Sequence, residues 1–524
     1  MPSNINHKTL STLIAILVAI FTTGYLRIHW IPFLPESDGG VYTFFSQYFY
    51  TALANGEGIA PSYPIALYSL LTSWVYGLDI NQYMALRWID LCLAVIASTL
   101  FFKVIEKESG SLFFSVVTVS AVLIVMNNYS FILYGFRNSI WAAYVPLFLA
   151  LLASQSINKK NHYLFYFIGA VAAFGVLLRE PFLFFYITGA IAILFAYGWK
   201  ILVKYLIGSA ILGFTTLFIL IMFREGGGLQ TIANSYIVQV GGLQDLANEL
   251  LISNFLKNSL IAIKAYWFGI TLSIISAIYI LKLNLKDRKS VSTNRFFFWL
   301  ALALVPIIEP ISKLGFDYHF INCIPGLAGI SAMGWKYVSL NESKIVKKYV
   351  MGAIIILYVF GVYPNLSRTL NINVYHKENP VSDAYNHLWK NSYSEIETIR
   401  LSNYLIAADM IKKLSKKDST LAVAGFAQVL YPLTGLFPTS IGTMDLRSLY
   451  LSLNWNEDKL VGILQEQRPT LIFPTKQVLP GIPNLTRAVQ RTGLYERVAI
   501  ISYSPNVYYK TIIGDIYRLK SFKQ

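Results

Sequence analysis

The stretch "TLSTLIAILVAIFTT", Thr9–Thr23, decides the fold class. It is a nearly unbroken apolar run, and runs approaching twenty residues cross a hydrocarbon core of roughly 30 Å as helices. No small-x-small cleavage pattern follows it, so it is read as a retained span. Further apolar runs begin near Asn81, Ser111, Ser139, Asn161, Phe182, Ile201, Ser259, Arg295, His319 and Ile345, which gives eleven expected spans. Just beyond the first lies "PFLPESDGGVYTFF" (Pro32–Phe45), where Glu36 and Asp38 stand beside glycines and an aromatic cluster.

Composition agrees with a polytopic helical membrane protein. Of 524 residues, 55% are hydrophobic and only 13% charged, a profile that a soluble chain of this length would not keep dispersed. The net charge of +16 is spread over span ends instead of forming a dense basic block with interleaved aromatics, which argues against nucleic acid as a partner. Cys92 and Cys323 both lie in apolar segments, so they build neither a disulfide framework nor a cysteine zinc site.

Lysines set the expected orientation. With the N-terminus cytoplasmic, the inner loops hold Lys103, Lys107, Lys159, Lys160, Lys200, Lys204, "KDRK" (Lys286–Lys289), Lys336, Lys344, Lys347 and Lys348. The other face then receives the first loop (29–80), the turns at Arg137 and Arg179, the loop from Arg224 to Asn258, and Glu309 to Asp317. The sequence thus divides into a membrane domain (1–364) and an extracytoplasmic α/β domain (365–524). In the latter, "TLAVAGF" (Thr420–Phe426), "TLIFPTK" (Thr470–Lys476) and "RVAIISY" (Arg497–Tyr503) read as strands, with "YYKTIIGDIYRLK" returning as a hairpin partner. Glu395–Leu414 and Glu457–Gln467 have helical spacing. Tyr503, Tyr508, Tyr509 and Lys510 suit either a glycan contact or a packed sheet face.

Within the first loop, apolar and aromatic residues recur at three- and four-residue spacing over Gly40–Asn55 and Pro64–Tyr76, separated by "NGEGIAPSYP". This pattern predicts two helices lying along the membrane surface. Asp38 stands where it would cap the first of them. Glycine-rich "EGGGLQ" (Glu225–Gln230) lacks the ending of a phosphate-binding loop and reads as a flexible connection.

Taken in order, "SDGGVY" (Ser37–Tyr42), "SYPIALYSLLTSWVYG" (Ser62–Gly77), "GVLLREPFLFF" (Gly175–Phe185) and "YHFINCIPGLAGI" (Tyr318–Ile330) give the chain a resemblance to the GT-C superfamily of membrane glycosyltransferases, which includes protein O-mannosyltransferases and lipid A aminoarabinose transferases. The resemblance covers most of the chain. It implies a polyprenyl-phosphate-linked sugar as donor, a glycan, lipid or protein as acceptor, inversion by direct displacement, and a bacterial inner membrane as the setting. Relatives often carry a second acid directly after the loop aspartate; here that position is Gly39, so the expectation is no cofactor, with a divalent metal as the alternative that the sequence does not support.

Such a reaction needs a base for the incoming hydroxyl, cations for the departing phosphate and an apolar surface for the lipid. Asp38 is the catalytic candidate, as a base or as the helix cap just described, and the two roles are compatible. Glu36, Glu180 and Glu309 are candidate auxiliary acids. Arg137, Arg179, Arg224, Lys313 and His319 are candidate phosphate donors, arginine being suited by its planar fork. Snorkelling towards headgroups is the alternative for these cations, and Glu309 and Lys313, four apart, have the spacing of a helical ion pair. Rival readings are a lipid-linked glycan polymerase or ligase, and a transporter. The last would place paired charges at the bilayer midplane, whereas here the spans read as almost uncharged at their centres.

Overall fold

The computed structural model describes residues 7–28, 44–47, 49–50, 67–78, 82–127, 139–157, 161–179, 182–222, 248–286, 293–312, 317–378, 406–424, 427–428, 430–438, 456–475, 482–506 and 509–521. The chain is mostly helical, with a small sheet near its C-terminus. Long helices follow one another as α1 (His7–Ala19, continuing through the π-helical turn Ile20–Gly24 and Tyr25–Ile28), α2 (Gln82–Ser109), α3 (Leu112–Met126), α4 (Ser139–Ser154), α5 (Leu164–Leu178), α6 (Leu183–Tyr197), α7 (Trp199–Met222), α8 (Asn248–Lys286), α9 (Thr293–Leu304), α10 (Ile324–Asn341) and α11 (Lys344–Glu378). Each expected run is a helix at its expected place. The one large offset is α8, which begins at Asn248 instead of near Ser259.

The expected eleven spans are not all long enough by themselves. Among the described residues six helices, those containing α1, α2, α7, α8, α9 and α11, are long and apolar enough to cross a membrane. Helices α3 to α6 have 15 or 16 residues, so they reach only about 22–24 Å at 1.5 Å per residue. "REPF" (Arg179–Phe182) separates α5 from α6, and α10, of 18 residues with Pro325 in its first turn, is the fifth helix outside the six. Outward faces of the bundle expose Phe21, Phe195, Phe214 and Phe360, each more than 70% accessible. Large apolar side chains on so many flanks fit a lipid surrounding better than water.

Small residues allow close helix crossings. A Cβ on Gly169 of α5 would lie 2.0 Å from the Tyr205 carbonyl oxygen of α7, and one on Gly208 would lie 2.0 Å from that of Tyr166. Only glycine lets these two backbones meet, as in other membrane helix pairs. Proline does not end every helix: Pro146 sits inside α4, and α11 runs through Pro364 to Glu378, so the composition change expected at 365 falls within a helix.

In the C-terminal region β1 (Thr420–Ala424), β2 (Phe437–Pro438), β3 (Leu471–Pro474), β4 (Tyr495–Asn506) and β5 (Tyr509–Leu519) form one sheet in the order β2-β1-β3-β5-β4. β1 is parallel to β2 and β3, while β5 is antiparallel to β3 and β4. The parallel β1–β3 pair needs a crossover, which the helix Glu457–Gln467 helps to supply. Asn456 caps that helix by accepting from Lys459 N–H at 2.9 Å, and Arg468 ends it at φ 43°. The expected strands and hairpin are all present. Sequence periodicity did not foresee β2 or the helix Ile482–Thr492.

The first loop departs from expectation in its partner. Helical turns do occur at 44–47 and 49–50 and at Leu67–Thr72, the latter followed by the 3-10 turn Ser73–Gly77. Yet Phe44, Phe45 and Phe49 are buried in the same apolar cluster as Leu421, Val423, Leu430 and Phe473 of the α/β region. Phe44 lies 4.5 Å, centroid to centroid, from Tyr431, whose hydroxyl accepts from Val423 N–H at 2.9 Å. The aromatic face therefore seats in protein and not in the bilayer surface. Hydrophobic spacing identified the face that is buried but could not say what buries it.

Phe44→Ala should destabilise this seat by about 3–5 kcal/mol, as Phe-to-Ala changes in cores do. Limited proteolysis and denaturant unfolding of the full chain would show it. At the surface of the α/β region, Arg491 and Arg487 donate to Glu457 and hold its carboxyl below the ordinary range. A lowered carboxylate contributes stability above its unfolded pKa and loses it as pH falls through the lower folded value. Glu457→Gln should therefore lower stability near neutrality and flatten its fall with acid, the two proteins converging once the wild-type carboxylate is protonated, as denaturant midpoints measured across pH would show.

Candidate functional site

One end of the bundle gathers ionisable side chains that the apolar interior would otherwise exclude. Arg27, in the last turn of α1, donates through Nη2 to Asp90 Oδ2 of α2. Arg87, one turn before Asp90, lies within electrostatic reach of it. The Arg27 guanidinium also sits 5.5 Å from the ring centroid of Trp141, at the start of α4, a cation–π distance. Asp90 Oδ1 accepts no hydrogen bond among the described residues.

A second group adjoins the first through Trp141, whose ring centroid is 5.7 Å from that of Tyr144. Tyr144 donates to Asn322 Oδ1 at 2.8 Å, and Asn322 Nδ2 donates to Glu309 Oε2 at 2.6 Å. Glu309 Oε1 lies 2.5 Å from His319 Nδ1. Arg179 faces the Tyr144 hydroxyl electrostatically and closes the set. Arg27, Arg87, Asp90, Trp141, Tyr144, Arg179, Glu309, His319 and Asn322 are all at most 4% exposed.

Local sequence explains why these groups converge. Arg179 follows α5 in extended backbone (φ −156°, ψ 117°), so the chain turns its side chain inward just where the helix stops. The 3-10 turn Val305–Ile307, with Pro306, interrupts regular helix just before Glu309 on Ile308–Ser312, and His319 and Asn322 lie on the 3-10 segment Asp317–Cys323 that leads into Pro325. Beneath the site Thr23, Ser98 and Asn127 form a polar seam joining α1, α2 and α3, with Thr23 and Ser98 oxygens 2.8 Å apart and Asn127 Nδ2 donating to Thr23 at 3.2 Å.

The opposite end is a separate polar rim. Lys103 donates to Ser11 and, at 2.5 Å, to Glu106, while Arg295 of α9 holds Glu108. From Asp90 to Glu108 along α2 is about 27 Å at 1.5 Å per residue, so the two polar rims stand a membrane core apart.

Of the candidates named from sequence, the structure brings together Arg179, Glu309 and His319. Asp38, Glu36, Arg137, Glu180, Arg224 and Lys313 lie outside the described residues. Glu309 has His319 and Asn322 as partners, while its i,i+4 spacing to Lys313 involves a residue outside the described ones. Arg87 and Asp90 are buried in the early turns of α2, towards one end of the helix and away from its centre. Asn365, within a glycosylation-like triplet, is buried and donates to Ala265 O at 2.9 Å.

Arg27, Arg87, Asp90, Tyr144 and Asn322 were not singled out from sequence. A signal was present in "LRWID" (Leu86–Asp90), where Arg and Asp three apart interrupt an apolar run and share a helix face. Tyr144 and Asn322 carry no such mark, because one tyrosine among many and one asparagine in a loop are unremarkable until folded. Among the described residues no three His, Cys, Asp or Glu side chains come together as a metal would require.

No family model matches the chain, and no curated protein matches it significantly.

Breaking a buried ion pair leaves its partner uncompensated, at a cost of about 3–5 kcal/mol. Glu309→Ala should therefore unfold far more readily than Tyr144→Phe, which removes one hydrogen bond worth about 1 kcal/mol. Denaturant midpoints in matched detergent would rank the two variants.

Proposed function

We propose that the chain is an inverting glycosyltransferase of GT-C type, moving a sugar from a polyprenyl-phosphate carrier to a glycan, lipid or protein acceptor at the extracytoplasmic face of a bacterial inner membrane. The observation that carries the reading is the convergence of three buried arginines, two carboxylates and an imidazole at one rim of an apolar bundle. Desolvated guanidinium groups in fixed positions suit a phosphate ester, whose developing charge they would stabilise. Exposed Leu304, Ile308 and Ile311 beside Glu309 offer a lipid-facing flank for the carrier chain. Sequence order supports it too, since Arg179 and His319 fall in the segments that resemble the family.

In this reading the helices shorter than a bilayer complete eleven passes. Side-chain pairs recur alternately at the two rims: Arg27 with Asp90, Arg295 with Glu108, Tyr144 with Asn322, and Lys107 with Ser156. The lysine-rich rim is the cytoplasmic one by the positive-inside rule, which puts the arginine cluster and the α/β region outside.

In the reaction, the acceptor oxygen attacks the anomeric carbon and its proton passes to a carboxylate, for which Asp38 is the candidate. The bond from that carbon to the phosphate oxygen breaks, and the phosphate leaves with the electron pair towards the arginines. The α/β region, seated on Phe44 and Phe45 six and seven residues after Asp38, would fix where the loop enters the site. Transport is disfavoured because the buried charges sit near helix ends: Arg27 in a final turn, Arg179 just past one, His319 just before one.

Proteoliposomes given a radiolabelled monosaccharide on polyprenyl phosphate test the proposal. Asp38→Asn should fold normally and lose transfer by a factor of about 100 or more, within the range for removing a catalytic base. Unchanged transfer would remove Asp38 from the mechanism. Transfer only from oligosaccharide carriers would favour the polymerase reading.

A further inference from the structure

Away from the arginine cluster, helices α4, α5, α6, α7 and α9 enclose a cavity of about 320 Å³. Its walls are apolar, with Leu151, Ile168, Phe185 and Ile193 among them, and its polar end is formed by Arg295 and Asn294. The other end reaches Phe182, whose ring meets that of Tyr144 edge-on at 5.2 Å. The cavity therefore runs most of the way between the two polar rims. Ala196 and Tyr197 on its lining are exposed, so it opens sideways on the flank of the bundle.

The polar end holds two cations, Arg295 and Lys107, against one carboxylate, Glu108. Arg295 spends Nε and Nη2 on Glu108, and Gln155 donates to the same carboxylate at 3.3 Å, so that buried anion is already satisfied. Arg295 Nη1 has no protein partner among the described residues. Lys107 is close enough to Arg295 for the two cations to repel, and it donates to Ser156 at 2.6 Å, two residues from the cavity-lining Ser154. A hydrocarbon alone would make no use of the cation that Glu108 leaves in excess at this end. A chain with an anionic head would satisfy both the walls and the mouth.

We infer that this cavity is a binding site for one acyl chain of an anionic glycerophospholipid from the leaflet at the lysine-rich rim, with its phosphate on Arg295 and Lys107. Charge complementarity selects that occupant, because basic residues at a cytoplasmic rim draw anionic lipids. The volume, near the lower end of the range for small-molecule sites, holds one chain and not a whole lipid. Its place at the rim opposite the arginine cluster distinguishes it from the donor site, and the inference stands whether or not the transferase reading does.

The test is thermal unfolding of the full chain in detergent with added dioleoyl phosphatidylglycerol or dioleoyl phosphatidylcholine. The melting temperature should rise with the first and not with the second. Lys107→Gln, beside Arg295, and Ala192→Trp, which fills the cavity from α6, should each remove at least half of that rise. Equal rises with both lipids, or a full rise in either folded variant, would overturn the inference. Polyprenyl phosphate displacing the phosphatidylglycerol would also overturn it, by assigning the cavity to the donor. Because the readout needs no sugar transfer, its failure and that of the transferase proposal are separate events.

Discussion

A charge inside an apolar helix bundle must be neutralised and hydrogen-bonded, or it costs several kcal/mol. That constraint organises one end of this protein. Asp90 is held by Arg27, and Glu309 is held between His319 and Asn322, with Tyr144 completing the chain of donors. Arg27, Asp90, Tyr144 and Glu309 come from four separate helical segments, and His319 and Asn322 share the 3-10 segment before α10, so the bundle keeps these groups buried only when those segments are assembled together. Stability and site formation are the same event here.

The rest of the architecture follows from keeping that end fixed. Glycines at the α5–α7 crossing bring the two backbones together, and Arg179 emerges from the end of one of them. On the same side, Phe44, Phe45 and Phe49 are buried in the α/β core, tying the first loop to a folded body where interfacial helices alone would slide on lipid. The far rim has its own ion pairs and a cavity that opens beside Arg295.

Helix positions were legible because apolar runs report burial or lipid contact directly, and every expected run is a helix. Span count was less legible: α3 to α6 are apolar throughout but stop after 15 or 16 residues, which composition alone does not reveal. The strands of the α/β region were readable from β-branched and aromatic runs, whereas the two-residue β2 was too short to leave a pattern. At the site, Arg179, Glu309 and His319 could be named because they break apolar segments. Their partners could not, since a hydrogen bond from Tyr144 to Asn322 spans 178 positions in sequence. Phe44 shows the same limit, its face being predictable and its neighbour not.

The central claim is that the buried arginines hold the phosphate of a polyprenyl carrier. Its most direct test is the affinity of the purified chain for polyprenyl phosphate, compared between wild type and Arg179→Gln. Losing one charge-assisted contact of about 1.5–3 kcal/mol should weaken binding roughly 10- to 150-fold. An affinity unchanged in a folded Arg179→Gln protein would contradict the account.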